Sequence, residues 1–490
     1  MLMTGCGTVK MQPLPAEAIQ KQIALDRQAA SAGVPPITGK LSMDEAIARA
    51  LKFNLDRRTR LMEEALALRQ LEGASLDMLP RLMSNAGYTW RDKDLITRST
   101  DSVTGQPSLA NPYISSERNH ANYDLGLTWN MLDFGQSYLG AKQSADRALI
   151  AGERRRKSLH VLVADVRTAF WRTLSAQKLR DDVKQTIDLA EAALADARKA
   201  ESERLRSPVD SLRYQRQLLE NLRLLESIEQ ELSSGRVELA SLINAPFDQP
   251  LDLIEPAGGV QTALLEMPVA RMEQLAVTEN ADLRESFYNA RIAVEETRKT
   301  MLRMFPNLSF NYDLRYDTDK YLINNDWNTA GLQLSWNVMN LFTAPAQKRL
   351  AEAGVKLADQ RRIATQMSVL TQVHLARLQY HIAYRQFLRA DQIWQADARI
   401  SEHMKNRQQA EAQSQLEMVA NRTTAILSLL RRYQSLAQLQ GAASKVQATI
   451  GMEPRLGDVE KLSLEAIIQE IGDAARDKLQ DPAAAVAGAR

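Results

Sequence analysis

Four stretches of the chain alternate apolar with polar or small residues, and this alternation predicts β-strands with one apolar and one polar face. The predicted strands span 82–91, 121–130, 308–317 and 329–338. The second contains the sequence YDLGLTWN, in which every other residue is large and apolar. Each stretch has about ten residues, the length of a tilted strand that crosses a membrane in a β-barrel. A half-buried sheet in a soluble protein is the alternative for any one strand taken alone.

After each pair of strands the apolar period changes from two to about 3.6, which predicts very long helices. The first helix is expected over 136–202, where no proline occurs, and at 1.5 Å per residue it would be ~100 Å long. The sequence Ser-Pro at 207–208 ends it, and a return helix follows to about residue 243. The apolar spacing of the return helix is close to the 3.5-residue repeat of coiled coils. A second pair is expected over 347–408 and 415–450.

The same order of predicted strands and long helices occurs twice along the chain. From Trp129 onward, a constant offset of 207 residues matches Trp129 with Trp336 and Ser207 with Ser414. We therefore predict an internal duplication with four regions. They are an N-terminal arm (1–40), a first repeat (41–267, with a strand hairpin at 82–130 and a coiled-coil hairpin at 136–243), a second repeat (268–455, with hairpins at 308–338 and 347–450) and a C-terminal segment (456–490) that ends in a disordered tail.

The faces of the predicted strands suggest a barrel wall. The polar faces carry Asp124, Asp313 and Arg315, which we expect to line a watery lumen, and the apolar faces carry Trp90, Trp129 and Trp336, typical of an aromatic membrane girdle. Four strands cannot close a barrel, and an open edge is not tolerated in lipid. The barrel is therefore expected to be shared between chains. Two chains give eight strands and a filled interior, whereas three give twelve and leave a passage.

Composition excludes several other classes. The 62 basic and 60 acidic residues nearly cancel, so no bulk field attracts nucleic acid. The only cysteine, Cys6, lies in the sequence LMTGC, which resembles a bacterial lipobox, although Met3 stands where Leu is usual. This context predicts lipidation of Cys6; an incidental cysteine near the terminus is the alternative. Five preceding residues are too few for a signal peptide, which predicts a longer precursor.

The chain carries no recognisable catalytic or cofactor motif. Nucleotide-binding loops, nucleophile elbows and paired catalytic carboxylates are missing from the sequence, so we predict neither an enzyme nor a cofactor. His374 and His381 are seven residues apart and suit one helix face, but without a cysteine partner a packed or solvated face is favoured over a metal site. The basic run 154–157 is interpreted as a solvated face, with phosphate binding as the alternative.

Three motifs, together with the repeat, carry a family resemblance. They are LSMDEAIARALKFNLDRR at 41–58, WNMLDFGQSYLGAKQ at 129–143 and SPVDSLRYQRQL at 207–218. With them the chain resembles the TolC family of bacterial outer-membrane efflux proteins over about 41–455, and its start is similar to the lipid-anchored members. The resemblance implies an α+β membrane protein. Three chains would form a 12-stranded transmembrane β-barrel, four strands from each, continued by a long periplasmic α-helical coiled-coil barrel with an equatorial domain.

The resemblance also implies a function and its partners. The chain would be the outer-membrane exit duct of a tripartite efflux or type I secretion system. It would work as a homotrimer with a periplasmic adaptor and an inner-membrane transporter of the RND, ABC or MFS type, in contact with outer-membrane lipid and not with nucleic acid. The alternative from another class is a structural coiled-coil scaffold of the cell envelope without a pore.

The resemblance places two helical tips near 203–210 and 409–417. The adaptor would contact Ser207 and Asp210 at the first tip and Ser414 and Glu417 at the second. Neither tip has the glycine that usually precedes this element, and Glu417 stands where Asp is usual. A periplasmic gate is expected at Glu402 or Glu411, because Glu402 precedes Glu417 by fifteen residues, as an acidic constriction residue does in the family. Solvated surface carboxylates are the alternative.

Overall fold

The fold was analysed in a computed structural model, which describes residues 12–107, 112–203, 207–256, 263–408, 415–452 and 459–480. Its strands are β1 (Arg81–Trp90), β2 (Ile96–Thr97), β3 (Tyr113–Ile114), β4 (Asn119–Asn130), β5 (Asn307–Asp317) and β6 (Asp326–Ser335). Its helices are α1 (Ala16–Ser31), α2 (Met43–Phe53), α3 (Leu55–Leu76), α4 (Met131–Ser202), α5 (Pro208–Leu242), α6 (Ala263–Glu266), α7 (Val269–Glu279), α8 (Ala281–Leu302), α9 (Asn340–Gln408), α10 (Gln415–Thr449) and α11 (Leu464–Gln480).

The chain forms two compact units. The sheet unit consists of Glu63–Glu153 and Leu283–Thr365, and the helical unit consists of the described residues within Met1–Met62, Arg154–Asp282 and Gln366–Arg490. Each unit takes segments from both of the repeats predicted from the sequence. The boundaries of those repeats as separate regions remain a prediction. The disordered tail expected at the C-terminus lies outside the described residues.

The sheet unit contains a four-stranded antiparallel sheet in the order β1-β4-β5-β6. Three of its strands match the predicted stretches to within two residues at each end. The fourth, β6, begins and ends three residues earlier than predicted, so Trp336 follows the strand. The amide N of Met339 donates to Asn337 Oδ1 at 3.2 Å, and this local turn ends the strand. The loop after β1 contains the short antiparallel strand pair β2 and β3.

In the helical unit, α4, α5 and α10 pack through apolar stripes. One cluster joins Leu179 and Val183 of α4 to Leu225 and Ile228 of α5, and includes Ile426 and Leu430 of α10. These side chains recur at the spacing that predicted a coiled coil, and each is almost fully buried. The predicted α4–α5 hairpin is thus held by an apolar seam. Helix α4 begins at Met131, five residues before the predicted start.

Three pairs of corresponding helices in the two halves have equal lengths: α2 and α7 have 11 residues, α3 and α8 have 22, and α5 and α10 have 35. The longest pair, α4 and α9, have 72 and 69 residues. The junction between the first two helices of each set is also the same. Asn54 Nδ2 donates to Leu242 O at 3.0 Å, and Asn280 Nδ2 donates to Thr449 O at 2.9 Å. Both asparagines are 5% exposed. Since the two acceptors are 207 residues apart, the offset found in the sequence is repeated in the contacts.

The return helices also end in the same way. Asn244 after α5 and Gly451 after α10 have φ angles of 53° and 72°, in the left-handed region that closes a helix C-terminus. The next amide donates back to the helix in each case, from Ala245 N to Ala240 O at 2.8 Å and from Met452 N to Gln447 O at 2.9 Å. At Gly451 a side chain would also meet the backbone of Glu279, so glycine is required there for space as well as for conformation.

Candidate functional site

The register of the sheet brings the apolar residues of its strands onto one face. Directly opposed residues share a face, and Leu82, Leu127 and Tyr312 form one row across β1, β4 and β5. Trp129, Phe310 and Leu332 form another row. Each of these side chains except Leu127 is at least 37% exposed in the single chain. The sheet therefore presents a broad apolar surface that the chain itself does not cover.

The opposite face brings together the three charged residues predicted for it. Asp124 lies between Asn85 and Arg315 in the register. Arg315 Nε is 3.7 Å from Asp124 Oδ1, and Arg315 Nη2 is 3.8 Å from Asp313 Oδ2. Asn85 Nδ2 is 3.5 Å from Asp124 Oδ2. One arginine between two carboxylates gives this face a mixed-charge centre.

Trp327 was missed on this polar face, because the predicted strand began at residue 329. It lies directly opposite Arg315 in the register of β5 and β6. Its position follows from continuing the alternation of β6 two residues towards the N-terminus. Trp336, which was expected on the apolar face of this strand, instead follows β6, and its Nε1 donates to Met304 O at 3.0 Å.

Three glycines on the polar face make room for polar side chains of neighbouring strands. A Cβ on Gly126 would lie 2.5 Å from Asp313 Oδ1, one on Gly87 would lie 2.3 Å from Asn122 Oδ1, and one on Gly331 would lie 2.6 Å from Asn311 Oδ1. Each glycine is opposite the residue whose side chain it accommodates: Asp313, Asn122 and Asn311. Polar side chains therefore lie across the adjacent backbone. Glycines at alternate polar positions are the sequence signal for this arrangement.

Two tryptophans occupy opposite ends of the apolar face. Trp90 is paired with Asn119, the first residue of β4, whereas Trp129 lies ten residues further along that strand. At ~3.3 Å per residue the two rows are ~33 Å apart along the strand. At a tilt of about 40° this becomes ~25 Å, the height of the apolar band of a membrane barrel. The predicted girdle positions of Trp90 and Trp129 suit the two borders of such a band.

Hydrogen bonds and ion pairs connect the segment before β4 with the loop between β5 and β6, at the end of the sheet far from the helices. Asp319 accepts from Ser116 Oγ at 2.8 Å and from the amides of Glu117 and Tyr321 at 3.1 Å. Burial acts to raise the pKa of Asp319, but these hydrogen bonds outweigh it and hold the pKa below its ordinary value. His120 Nδ1 is 2.8 Å from Asp317 Oδ1 in the same region. The ionised form of Asp319 thus organises the loop that joins β5 to β6.

The predicted tip residues lie at the ends of the long helices. Ser207 is the N-cap residue of α5, although its side chain makes no capping hydrogen bond, and Asp210 is exposed in the first turn. Glu417 is exposed in the first turn of α10, and Glu402 is exposed near the end of α9. The remaining predicted site residues, Cys6, Glu411 and Ser414, lie outside the described residues.

Charged groups singled out in the sequence contact other parts of the helical unit. Lys157 Nζ is 2.8 Å from Asp282 Oδ1, and Arg156 Nη2 donates to Glu279 O at 3.3 Å. His374 Nε2 is 2.8 Å from Glu273 Oε1. Among the residues that the structure describes, no group of three or more His, Cys, Asp or Glu side chains is arranged to hold a metal ion. Within the same ranges, no helix is long and apolar enough to cross a membrane.

The two outer strands of the sheet, β1 and β6, each have one strand neighbour within the described chain. Both are ten residues long. The backbone N–H and C=O groups on the outer side of β1 and β6 therefore form the two open edges of the sheet, and one face of this sheet is apolar. Such an edge is a template for pairing with a further strand.

Proteins similar to this chain are recognised by their structures, whereas their sequences show no match. No protein-family model matches the chain, and no curated protein does. The Campylobacter jejuni CmeC outer membrane channel matches with a TM-score of 0.64 and 12% identity, over 88% of this chain and 89% of that one. The chain has the fold of TolC-type outer-membrane channels. This match confirms the TolC-type fold of the single chain that the sequence motifs imply, whereas the trimer, the twelve-stranded barrel and the internal duplication stay predictions.

Two further TolC-type structures are similar to the chain. The outer membrane protein VceC from Vibrio cholerae has a TM-score of 0.60 and 12% identity, and the match covers 84% of this chain and 96% of that one. The MtrE outer membrane channel of Neisseria gonorrhoeae, in its open state, has a TM-score of 0.58 and 15% identity, and covers 82% and 88% respectively. The likeness extends over both units of the chain.

Proposed function

We propose that the chain is an outer-membrane channel that extends into the periplasm and has no enzymatic activity. Three copies would form a twelve-stranded transmembrane barrel, continued by a helical barrel. The assembly would serve as the exit duct of a tripartite efflux or type I secretion system. The outer-membrane channels whose fold the chain shares support this proposal.

The observation that carries the proposal is the pair of open strand edges beside an apolar face. Because neighbouring strands are antiparallel throughout, β1 and β6 run in opposite directions. The β6 strand of one copy can therefore pair antiparallel with β1 of the next, and repetition of this contact closes a ring. Closure gives the backbone N–H and C=O groups of the edge strands hydrogen-bond partners, which lipid cannot provide. Three copies give twelve strands and an open lumen, lined by the polar faces that carry Asp124, Asp313 and Arg315.

The internal duplication is part of the same proposal. Equal helix lengths, equivalent asparagine contacts and equivalent helix ends support it. In a trimer, two similar halves per chain give six similar positions around the axis. The wall would then be nearly uniform although each chain has two different halves.

Assembly is tested by native mass spectrometry of the protein purified in detergent. We expect three chains, and migration in SDS that changes only after boiling, because a closed barrel resists SDS. A stable monomer or dimer would rule out the trimeric pore. A scaffold without a barrel, the alternative function, would migrate identically before and after heating.

We also propose that the helical tips contact a periplasmic adaptor, which in turn engages an inner-membrane transporter of the RND, ABC or MFS type. Asp210 is exposed at the start of α5, where a partner can reach it. A photocrosslinking residue placed at 210 should capture the adaptor in cells. The same residue at Glu229, which is exposed further along α5, is the matched control. Equal capture at both positions would show that the tip is not the contact.

The gate of the channel is proposed at Glu402 or Glu411. Three copies of an acidic side chain held near the axis would attract cations and repel one another, so opening would relieve the repulsion. Single-channel recordings in planar bilayers of Glu402→Ala and Glu411→Ala should show altered conductance and weaker cation selectivity. Glu229→Ala serves as the control. If both gate variants conduct like the parent, the acidic gate lies elsewhere.

A further inference from the structure

A polar cavity of about 450 Å³, widely open to solvent, lies in the sheet unit at the helix-proximal end of the strands. Its lining includes Arg81, the first residue of β1, and Asp133, which follows the end of β4 by three residues. The rest of the lining comes from the ends of α3 and α8 and from the first turns of α4. A cavity of this size accommodates a small molecule or a headgroup.

Both signs of charge line this cavity. The basic residues are Arg81, Arg147, Lys299 and Arg303. The acidic residues are Asp77, Asp133 and Glu296. They come from four separate elements or their flanking turns, so only the folded unit brings them together. A simple anion would meet three carboxylates here, and a simple cation would meet four basic groups.

The basic groups are available to a ligand. Within the residues that the structure describes, Arg81, Arg147 and Lys299 make no ion pair and no side-chain hydrogen bond. Arg303 donates only to the neutral Gln136 Oε1, at 3.2 Å. The Lys299 ammonium lies 3.9 Å from the point where a Cβ on Gly140 would stand, so this glycine leaves space beside it.

Two of the acidic groups already accept a hydrogen bond from a neutral amide. Gln143 Nε2 donates to Glu296 Oε2 at 2.9 Å, and Asn130 Nδ2 donates to Asp133 Oδ2 at 3.0 Å. These contacts fix the carboxylates without neutralising them. The lining thus holds unpaired cations and oriented anions side by side, an arrangement complementary to a ligand that carries both charges.

We propose that this cavity binds an amino-phosphate group, the zwitterionic headgroup chemistry of phosphatidylethanolamine. The phosphate would be held by the arginines and Lys299, whose N–H donors suit phosphate oxygens. The ammonium would be held by Asp77 and Asp133. Neither half of the ligand alone would satisfy both sets of side chains.

Exposed apolar side chains near the cavity support a lipid as the source of this group, although Arg81 itself, opposite Thr128, lies on the polar face of β1. Leu79, Leu82 and Met131, which lie within two residues of lining residues in the sequence, are 61%, 65% and 64% exposed. This part of the argument rests on the proposed function: if the strands cross a membrane, their helix-proximal ends lie at the bilayer border, where headgroups are. Acyl chains would then contact these exposed apolar side chains.

The test is calorimetric titration of the full-length protein in a maltoside detergent. The probes are dihexanoyl-phosphatidylethanolamine, O-phosphoethanolamine and inorganic phosphate. Loss of one charge-assisted contact corresponds to about tenfold or more in affinity. We therefore expect both amino-phosphates to bind about tenfold or more tightly than phosphate. Tighter binding of the lipid than of O-phosphoethanolamine supports a lipid source, and equal binding supports a site for the soluble compound.

Three variants assign the binding to the cavity. Arg147→Gln and Lys299→Gln should each weaken both amino-phosphates about tenfold. Asp77→Asn should weaken the amino-phosphates and leave phosphate binding unchanged. Arg349→Gln is the matched control, because Arg349 is exposed in the same unit and does not line the cavity. Circular dichroism and SDS migration must match the parent for each variant.

The proposal is overturned if neither amino-phosphate binds, or if Arg147→Gln and Lys299→Gln bind like the Arg349→Gln control. Tighter binding of phosphate than of O-phosphoethanolamine would also overturn it, since the acidic residues would then have no role. Bilayer conductance of the parent is recorded in parallel. A parent that conducts but binds no amino-phosphate refutes this site alone, whereas a parent without conductance refutes the channel.

Discussion

The assignment of the two sheet faces is tested most directly by one arginine placed on the apolar face. Leu125 is the seventh residue of the twelve in β4, so it lies close to the middle of the strand. It is opposite Ser84 and Leu314 on the neighbouring strands, and its side chain is 40% exposed in the single chain. If this face meets lipid, Leu125→Arg places a charge near the bilayer midplane.

The expected cost follows from this depth. An arginine on the lipid face near the midplane destabilises a membrane barrel by ~2–4 kcal/mol, and the cost falls to ~0–1 kcal/mol near the interface. For Leu125→Arg this is roughly a 30- to 700-fold loss in the folding equilibrium of each chain. Leu127 lies only three residues from the end of β4, so Leu127→Arg should cost less.

The assay is the fraction of SDS-resistant assembly after folding into lipid vesicles, measured as a function of urea concentration. Asn85→Arg is the control, because Asn85 lies at mid-strand on the polar face, directly opposite Asp124. Thr128→Arg, also on the polar face, should assemble normally as well. If Leu125→Arg and Asn85→Arg assemble to the same extent at every urea concentration, the apolar face does not meet lipid and the face assignment fails.

Three further predictions concern other parts of the chain. Asn54→Ala and Asn280→Ala should each lower the free energy of unfolding by ~1–3 kcal/mol, seen as similar shifts in urea midpoint, because each leaves a helix-terminal carbonyl without its donor; unequal shifts would contradict their equivalence. Cys6→Ser in the full precursor should abolish fatty-acid labelling, and continued labelling would refute lipidation. Because the pKa of Asp319 is lowered, the stability that its ionised form gives to the loops is full above the ordinary carboxyl range and is lost as pH falls through the lowered value. Hydrogen-exchange protection of the Glu117 and Tyr321 amides should decrease over the same pH range. Asp319→Asn should remove this pH dependence.

Alternation along the chain was sufficient to predict the faces of the sheet. Asp124, Asp313 and Arg315 meet because strand side chains point alternately to the two faces, and the register aligns residues of equal polarity. The end of β6 was not predictable in this way. The alternating pattern continues through Trp336, but the local turn at Asn337 stops the strand first.

The cavity could not be predicted from the sequence. Its charged residues lie between positions 77 and 303, and their approach depends on how α8 packs beside α4. No local spacing relates Arg81 to Lys299, so periodicity gives no sign of their approach. By contrast, the equivalence of the two asparagines could be predicted from the sequence, because Asn54 and Asn280 each precede a proline by 26 residues.

The glycines of the polar face have an electrical consequence for the proposed pore. Since Asp313 lies across Gly126, and Asn311 across Gly331, these side chains add little to the thickness of the wall. The wall of the proposed pore therefore carries fixed charges that reduce the diameter of the lumen only slightly. Gly126→Val would force Asp313 to stand away from the strand, and in a trimer it would do so three times around the axis. In the proposed pore, residues without a side chain would thus contribute to the resistance to ion flow.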